Sequence, residues 1–181
     1  MAQPEFYSGK LLYPAIVVLI ALSALFGLAI LPRLMPPGGD FEGQPAPDVT
    51  LPIAANGEPG GRMRLSDLRG KVVVLDFWAT WCGPCQVQAP ILDRVARRYE
   101  ERGLVVLGIN VDDPPELARS FATRKGLSYP ILIDDEKRAS ALYRVDTLPS
   151  LVVIDRNGQI ASYFSGIVDE GTLDEIIATS L

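Results

Sequence analysis

Residues 71–85 read Lys71-Val72-Val73-Val74-Leu75-Asp76-Phe77-Trp78-Ala79-Thr80-Trp81-Cys82-Gly83-Pro84-Cys85. The first half is a short β-branched and aliphatic run, the pattern of a buried strand. From Cys82 onward, Val87, Ile91, Val95 and Tyr99 recur at helical spacing as far as Gly103. The strand therefore feeds a helix that begins at Cys82. A thiol at a helix N-terminus faces unpaired backbone N–H groups and the positive end of the helix dipole. Both favour thiolate, and the thiol pKa in such motifs falls from about 8.5 to about 7 or below. Thiolate is the attacking species in disulfide exchange. The two-residue spacer lets Cys85 reach the Cys82 sulfur and resolve a mixed disulfide. Pro84 lies just inside the helix, where its missing N–H costs least. A bare Cys-x-x-Cys also suits a structural pair; between a strand and a helix of an α/β pattern it reads as a redox pair.

The rest of the composition narrows the chemistry. The 181 residues hold two cysteines and no histidine. That excludes Ser-His-Asp and Cys-His catalysis and removes the commonest transition-metal ligand. Two thiols alone are too few for a closed zinc site, so no metal is expected. A disulfide closing so short a loop adds little stability through chain entropy, which again favours redox use. A net charge of −5 gives no basic footprint for nucleic acid. The chain carries no nicotinamide or flavin motif, and no cofactor is expected beyond a redox-active Cys82–Cys85 disulfide.

Outward from the opening stretch, strand-like and helix-like segments alternate. Residues 104–111 form a second buried strand, Pro114-Pro115-Glu116 opens a helix to about Arg124, and residues 129–133 form a short strand. Residues 139–143 give a helical turn or two, and a final helix spans about Thr172–Thr179. Between them, the runs 150–154 and 159–164 flank Asp155-Arg156-Asn157-Gly158, a strong hairpin signal. The expected fold class is α/β: a mixed central sheet with helices on both faces.

Before this domain lies an apolar run at about 11–31 with no charge between Lys10 and Arg33. Its length is that of a membrane-crossing helix, about 20 residues. Pro32-Arg33-Leu34-Met35 is a poor cleavage site; Ala21-Leu22-Ser23 could serve as one but leaves a short apolar core. The expected organisation is a short N-terminal segment (1–10), an uncleaved transmembrane anchor (11–31), a Pro/Gly-rich linker (32–43) and a soluble domain (44–181). The flanking charges favour a domain outside the cytoplasm.

Trp81-Cys82-Gly83-Pro84-Cys85 resembles the active-site motif of the thioredoxin superfamily, and the similarity runs from about Gln44 to the end. The anchor, the leader residues 43–51 with residues 65–71, and a helix–strand insertion at about Pro114–Ile133 are similar to the TlpA-like branch, which is membrane-anchored and extracytoplasmic. The resemblance implies a thioredoxin-like fold and a monomeric thiol–disulfide oxidoreductase in the cell membrane with its domain in the periplasm. It would reduce protein disulfides, with cytochrome c maturation as one role, using Cys82 as nucleophile and Cys85 as resolving thiol. Its electrons would come from a membrane thiol carrier. The Gly-Pro spacer favours a reducing pair near thioredoxin's potential of about −270 mV.

The resemblance also implies site residues. Pro149 falls where thioredoxins carry a cis-proline opposite the cysteines, so Leu148 would offer its backbone to a substrate strand. Trp81, Gly83, Pro84, Leu148 and Pro149 would form the substrate groove. Asp76 matches the buried aspartate of thioredoxins and is a candidate general base for Cys85 through water, with a raised pKa. Two departures stand out. Gln88 occupies the position where relatives carry a glutamate, and aligning Asn110-Val111-Asp112 puts Gly108 where thioredoxin has a lysine beside the aspartate. Two other functions compete. A peroxiredoxin-like peroxidase would need Pro-x-x-x-Thr-x-x-Cys, but Thr80 lies two before Cys82 and no suitable proline precedes it. A non-catalytic binding or assembly module would use only the groove near Pro149.

Overall fold

The computed structural model describes residues 14–23 and 41–181. Residues 14–23 are helical (α1). The rest of the anchor expected at 11–31, the segment 1–10 and the linker as far as residue 40 lie outside the described residues. Among the described residues, no helix is long and apolar enough to cross a membrane.

Residues 41–181 fall within one compact unit. Its elements are β1 (Thr50–Ala55), β2 (Arg62–Arg64), a 3-10 turn (Leu65–Leu68), β3 (Val72–Trp78), α2 (Gly83–Tyr99), a 3-10 turn (Glu100–Arg102) and β4 (Leu104–Asn110). There follow α3 (Pro115–Lys125), β5 (Ile131–Ile133), α4 (Arg138–Leu142), β6 (Ser150–Ile154), β7 (Ile160–Ser165) and α5 (Glu170–Ser180). They form one sheet in the order β2-β1-β5-β4-β3-β6-β7. β3, β4 and β5 run parallel, while β6, β7, β1 and β2 pair antiparallel to their neighbours. This is the mixed sheet expected from the alternation.

β3 sits near the centre and is buried at every position, so the alternation of its side chains divides the core. Val72, Val74 and Trp78 join the cluster packed under α2, α3 and α5. Val73, Leu75 and Phe77 join the opposite cluster with Leu107, Ile109, Val152 and Tyr143 behind α4. By the same alternation, Asp76 points to the α2 side. Helices cover both faces, unequally: three long ones on the cysteine side and the short α4 on the other.

The N-terminal part of the domain shows most clearly what the sequence pattern hid. The hairpin β1–β2 carries Pro52 and no clean alternation, so neither element stands out as a strand before its partner is known. It joins the sheet through pairing of β1 with β5. Phe41 and Gly43, expected in the linker, already pack on the domain. Phe41 stacks on Tyr163 at 5.9 Å, and Gly43 N–H donates to Ile160 O at 2.8 Å. Tyr143, fully buried, donates its hydroxyl to Pro47 O at 2.8 Å and holds the leader against the sheet.

The 155–158 hairpin forms, but not as a two-residue turn. Asp155 Oδ1 accepts from Asn157 N at 2.9 Å and Gln159 N at 2.8 Å. Of the turn residues only Gly158 takes positive φ, 76°. A two-residue type I′ turn needs positive φ at both central residues, so the aspartate side chain sets a wider turn.

Candidate active site

α2 begins where the sequence places it. Cys82 is its N-cap, in extended conformation (φ −78°, ψ 106°), and Pro84 occupies the first turn. The Cys82 sulfur accepts from Cys85 N at 3.2 Å, so the sulfur itself caps the helix. Buried positions at Cys85, Gln88, Ala89, Leu92, Val95 and Tyr99 give α2 its apolar face. The helix passes into a 3-10 turn closed by Gly103 at φ 94°.

Cys82 and Cys85 are joined as a disulfide, S–S 2.06 Å. Their surroundings differ. Both cysteines are nearly buried, Cys82 at 5% and Cys85 at 2% exposed, but only Cys82 borders an open groove. Trp81, Gly83 and Pro84 line the groove on the cysteine side, with Thr147 and Leu148 opposite. Trp81 is 65% exposed, an unusual amount of free indole surface. At one end the Lys137 ammonium pairs with Asp112 at 3.2 Å. The Leu148–Pro149 bond is cis. Pro149 O accepts from Gly166 N at 2.8 Å, and Ser150 Oγ donates to Thr147 O at 2.8 Å, so the loop is fastened on both sides of the proline.

Asp76 is 2% exposed on the face of β3 that α2 covers. Burial alone pushes its carboxyl up to about 7. Its partner in the β3–β4 register is Gly108, which has no side chain to bring a cation. A Cβ at Gly108 would lie 2.8 Å from Ile131 Cδ1 and 3.1 Å from Trp78 Nε1, so the space is already filled. Asp76 Oδ1 and Trp78 Nε1 are buried without hydrogen-bond partners among the described residues.

Two features of the site escaped sequence reading. The first is a clamp on the segment between β3 and Cys82. Asp113 accepts from Thr80 N and Thr80 Oγ1, both at 2.6 Å, and from Asn110 Nδ2 at 2.7 Å. Asn110, fully buried at the end of β4, accepts in turn from Asp113 N at 2.9 Å. Gln86 donates to Thr80 O at 3.1 Å. The end of β4 and the turn after it thus steady the loop that carries Cys82. An Asn and an Asp just past a strand hint at a local side-chain turn, but nothing local names Thr80 as its partner. The second is the setting of Gln88, which the sequence showed only as standing where relatives carry a glutamate. It is fully buried, and both ends of its amide bind the Val168 backbone.

A cysteine pair, here a disulfide, at the N-cap of a helix next to a surface groove in a sheet of this topology defines a thioredoxin-fold thiol–disulfide oxidoreductase. The chain belongs to the AhpC/TSA family, whose model matches residues 42–163, and within it to the TlpA-like branch. It is 36% identical over 132 residues to the thiol-disulfide oxidoreductase ResA of Geobacillus kaustophilus, covering 73% of this chain and 74% of that protein. The ResA of Geobacillus thermodenitrificans is 37% identical over 124 residues, covering 68% and 69%. Among solved structures, a secreted thiol-disulfide isomerase from Corynebacterium glutamicum superposes with a TM-score of 0.68 at 28% identity, over 73% of this chain and 82% of that one.

Proposed function

We propose that this enzyme reduces protein disulfides outside the cytoplasm, held to the membrane by an anchor at 11–31 and working as a monomer. The observation that carries this reading is the asymmetry of the cysteine pair: both are nearly buried, but Cys82 caps α2 and borders the groove, while Cys85 does neither. In the reduced protein the Cys82 thiolate attacks one sulfur of a substrate disulfide. A Cys82–substrate bond forms and the other substrate sulfur leaves as thiolate. Cys85 then attacks the Cys82 sulfur, the Cys82–Cys85 bond forms, and the second substrate sulfur leaves. Two electrons have passed from the pair to the substrate. Asp76 takes the Cys85 proton through water; a carboxyl at about 7 is suited to that transfer near neutral pH. A membrane thiol donor restores the dithiol, and cytochrome c apoproteins belong to the substrate class. The secreted relative and the apolar run at 11–31 support the extracytoplasmic site.

The reduction potential of the 41–181 domain in glutathione or dithiothreitol buffers tests the direction. A value below about −200 mV is expected. A value near about −120 mV, that of a strong oxidant, would make the protein a disulfide donor or isomerase instead. A peroxidase reading gains nothing from the site, since the Thr80 hydroxyl is committed to Asp113 rather than turned to the Cys82 sulfur. Hydrogen peroxide should oxidise the reduced protein no faster than a free thiol, and rapid stoichiometric oxidation would revive that reading.

A further inference from the structure

Gln88 stands one turn after Cys85 on α2 and is 0% exposed. Val168 N–H donates to Gln88 Oε1 at 2.7 Å, and Gln88 Nε2 donates to Val168 O at 3.2 Å. Val168 is itself 6% exposed, in the connection between β7 and α5. Two residues earlier, Gly166 N–H donates to Pro149 O at 2.8 Å. A continuous path therefore runs from Cys85 through one helical turn to Gln88, across to Val168, and by Gly166 to the proline beside the groove. Ile167, between the two fastenings, keeps 50% of its surface exposed. A buried amide that satisfies both polar groups of one distant residue fixes that residue's position closely, because releasing it strands two buried groups.

We propose that Gln88 is a positioning residue for polypeptide substrates: by holding Val168 it fixes the 166–168 loop, whose Gly166 N–H holds Pro149 O, and so sets the position of Leu148, the neighbour of Pro149 that lines the groove. This rests on the reading of Cys82 and Cys85 as the redox pair with its groove at Leu148–Pro149. It adds that the cysteine helix and the proline loop are joined by a side chain that never touches substrate. A small disulfide, which meets only Cys82, should be indifferent to Gln88.

The chemistry of the amide supplies the test. In Gln88→Glu, a protonated carboxyl reproduces both bonds, its O–H donating to Val168 O and its carbonyl accepting from Val168 N. Once ionised it has no donor and faces the Val168 carbonyl. Asp169 and Glu170 follow Val168 in the chain, and Arg94 on α2 pairs with Glu170 at 2.8 Å. Gln88 is fully buried, and burial raises the pKa of a carboxyl placed there. The pre-reduced protein is mixed with insulin, as a polypeptide disulfide, or with hydroxyethyl disulfide, and its oxidation is followed by tryptophan fluorescence. The ratio of the two rates cancels the Cys82 thiolate fraction common to both.

The wild-type ratio should stay flat, and the Gln88→Glu ratio should fall about tenfold with rising pH as the carboxyl ionises. Gln88→Ala should be low throughout. A near-wild-type ratio for Gln88→Glu at the acid end shows that the variant folds. Ratios equal to wild type at every pH in both variants overturn the proposal. So does a loss that falls equally on both disulfides, which would make Gln88 a fold element only. If the wild type itself is oxidised by neither disulfide, or if reduction of the disulfides is unchanged in Cys82→Ser, the failure belongs to the redox reading.

Discussion

Replacing Cys82 with serine should reduce exchange with a polypeptide disulfide by at least about 10³-fold, because a hydroxyl at a helix N-terminus supplies almost no anion at neutral pH. Cys85→Ser should behave differently. Cys82 still borders the groove and still caps α2, so the first attack proceeds, but no buried thiol remains to resolve it. A covalent adduct with substrate should accumulate stoichiometrically, visible as a mass increase that thiols reverse. The pair of variants measures the assigned roles directly: adduct with Cys82→Ser and none with Cys85→Ser would reverse them. Fold loss is not expected from either, since a bridge closing so short a loop contributes little to stability.

Asp76→Asn should act on both rate and stability. Its carboxyl stands at about 7 in the fold, against 3.8 in a model side chain, because burial disfavours its charge. Between these values the folded protein holds a proton that the unfolded chain has released. Stability therefore falls as pH rises through that window and stays low above it, the reverse of the usual paired carboxylate. For a fully buried group the loss is on the order of 4 kcal/mol from about pH 4 to above pH 7. Asparagine has no proton to lose, so the oxidised variant should lack the slope and exceed the wild type above neutrality. Denaturant midpoints at acid and alkaline pH check this, and parallel curves for the two proteins would show that Asp76 is charged in the fold. In the reduced protein the same change should slow resolution of the mixed disulfide about 10²-fold at neutral pH. A gain in stability together with a loss in rate is the mark of a functional buried acid.

The site was legible in the sequence to the extent that its causes are local. A β-branched run, a helical apolar repeat and Cys-Gly-Pro-Cys between them suffice to place a thiol on a helix end, since strand, cap and first turn all lie within fifteen consecutive residues. The parallel strands 104–110 and 131–133 and the hairpin at 155–158 also announced themselves through composition and turn chemistry. β1 and β2 did not, because Pro52 and the mixed polarity of Arg62–Arg64 give no period until β5 provides the partner.

What the tertiary structure decided are the properties that depend on residues far apart in the chain. The sequence by itself determined that Asp76 interrupts an apolar strand. Its high proton affinity follows from β4 placing a glycine opposite it and from Trp78, Tyr129 and Ile131 crowding that position. Thr80 looks like an ordinary polar residue, and Gln88 only like a replacement for a glutamate, until Asp113 and Val168 are brought to them, 33 and 80 residues away. Hydrogen-bond partners chosen across the fold leave no periodicity in the chain. The sequence therefore determined which chemistry the protein performs, while long-range packing decided which side chains hold that chemistry in place.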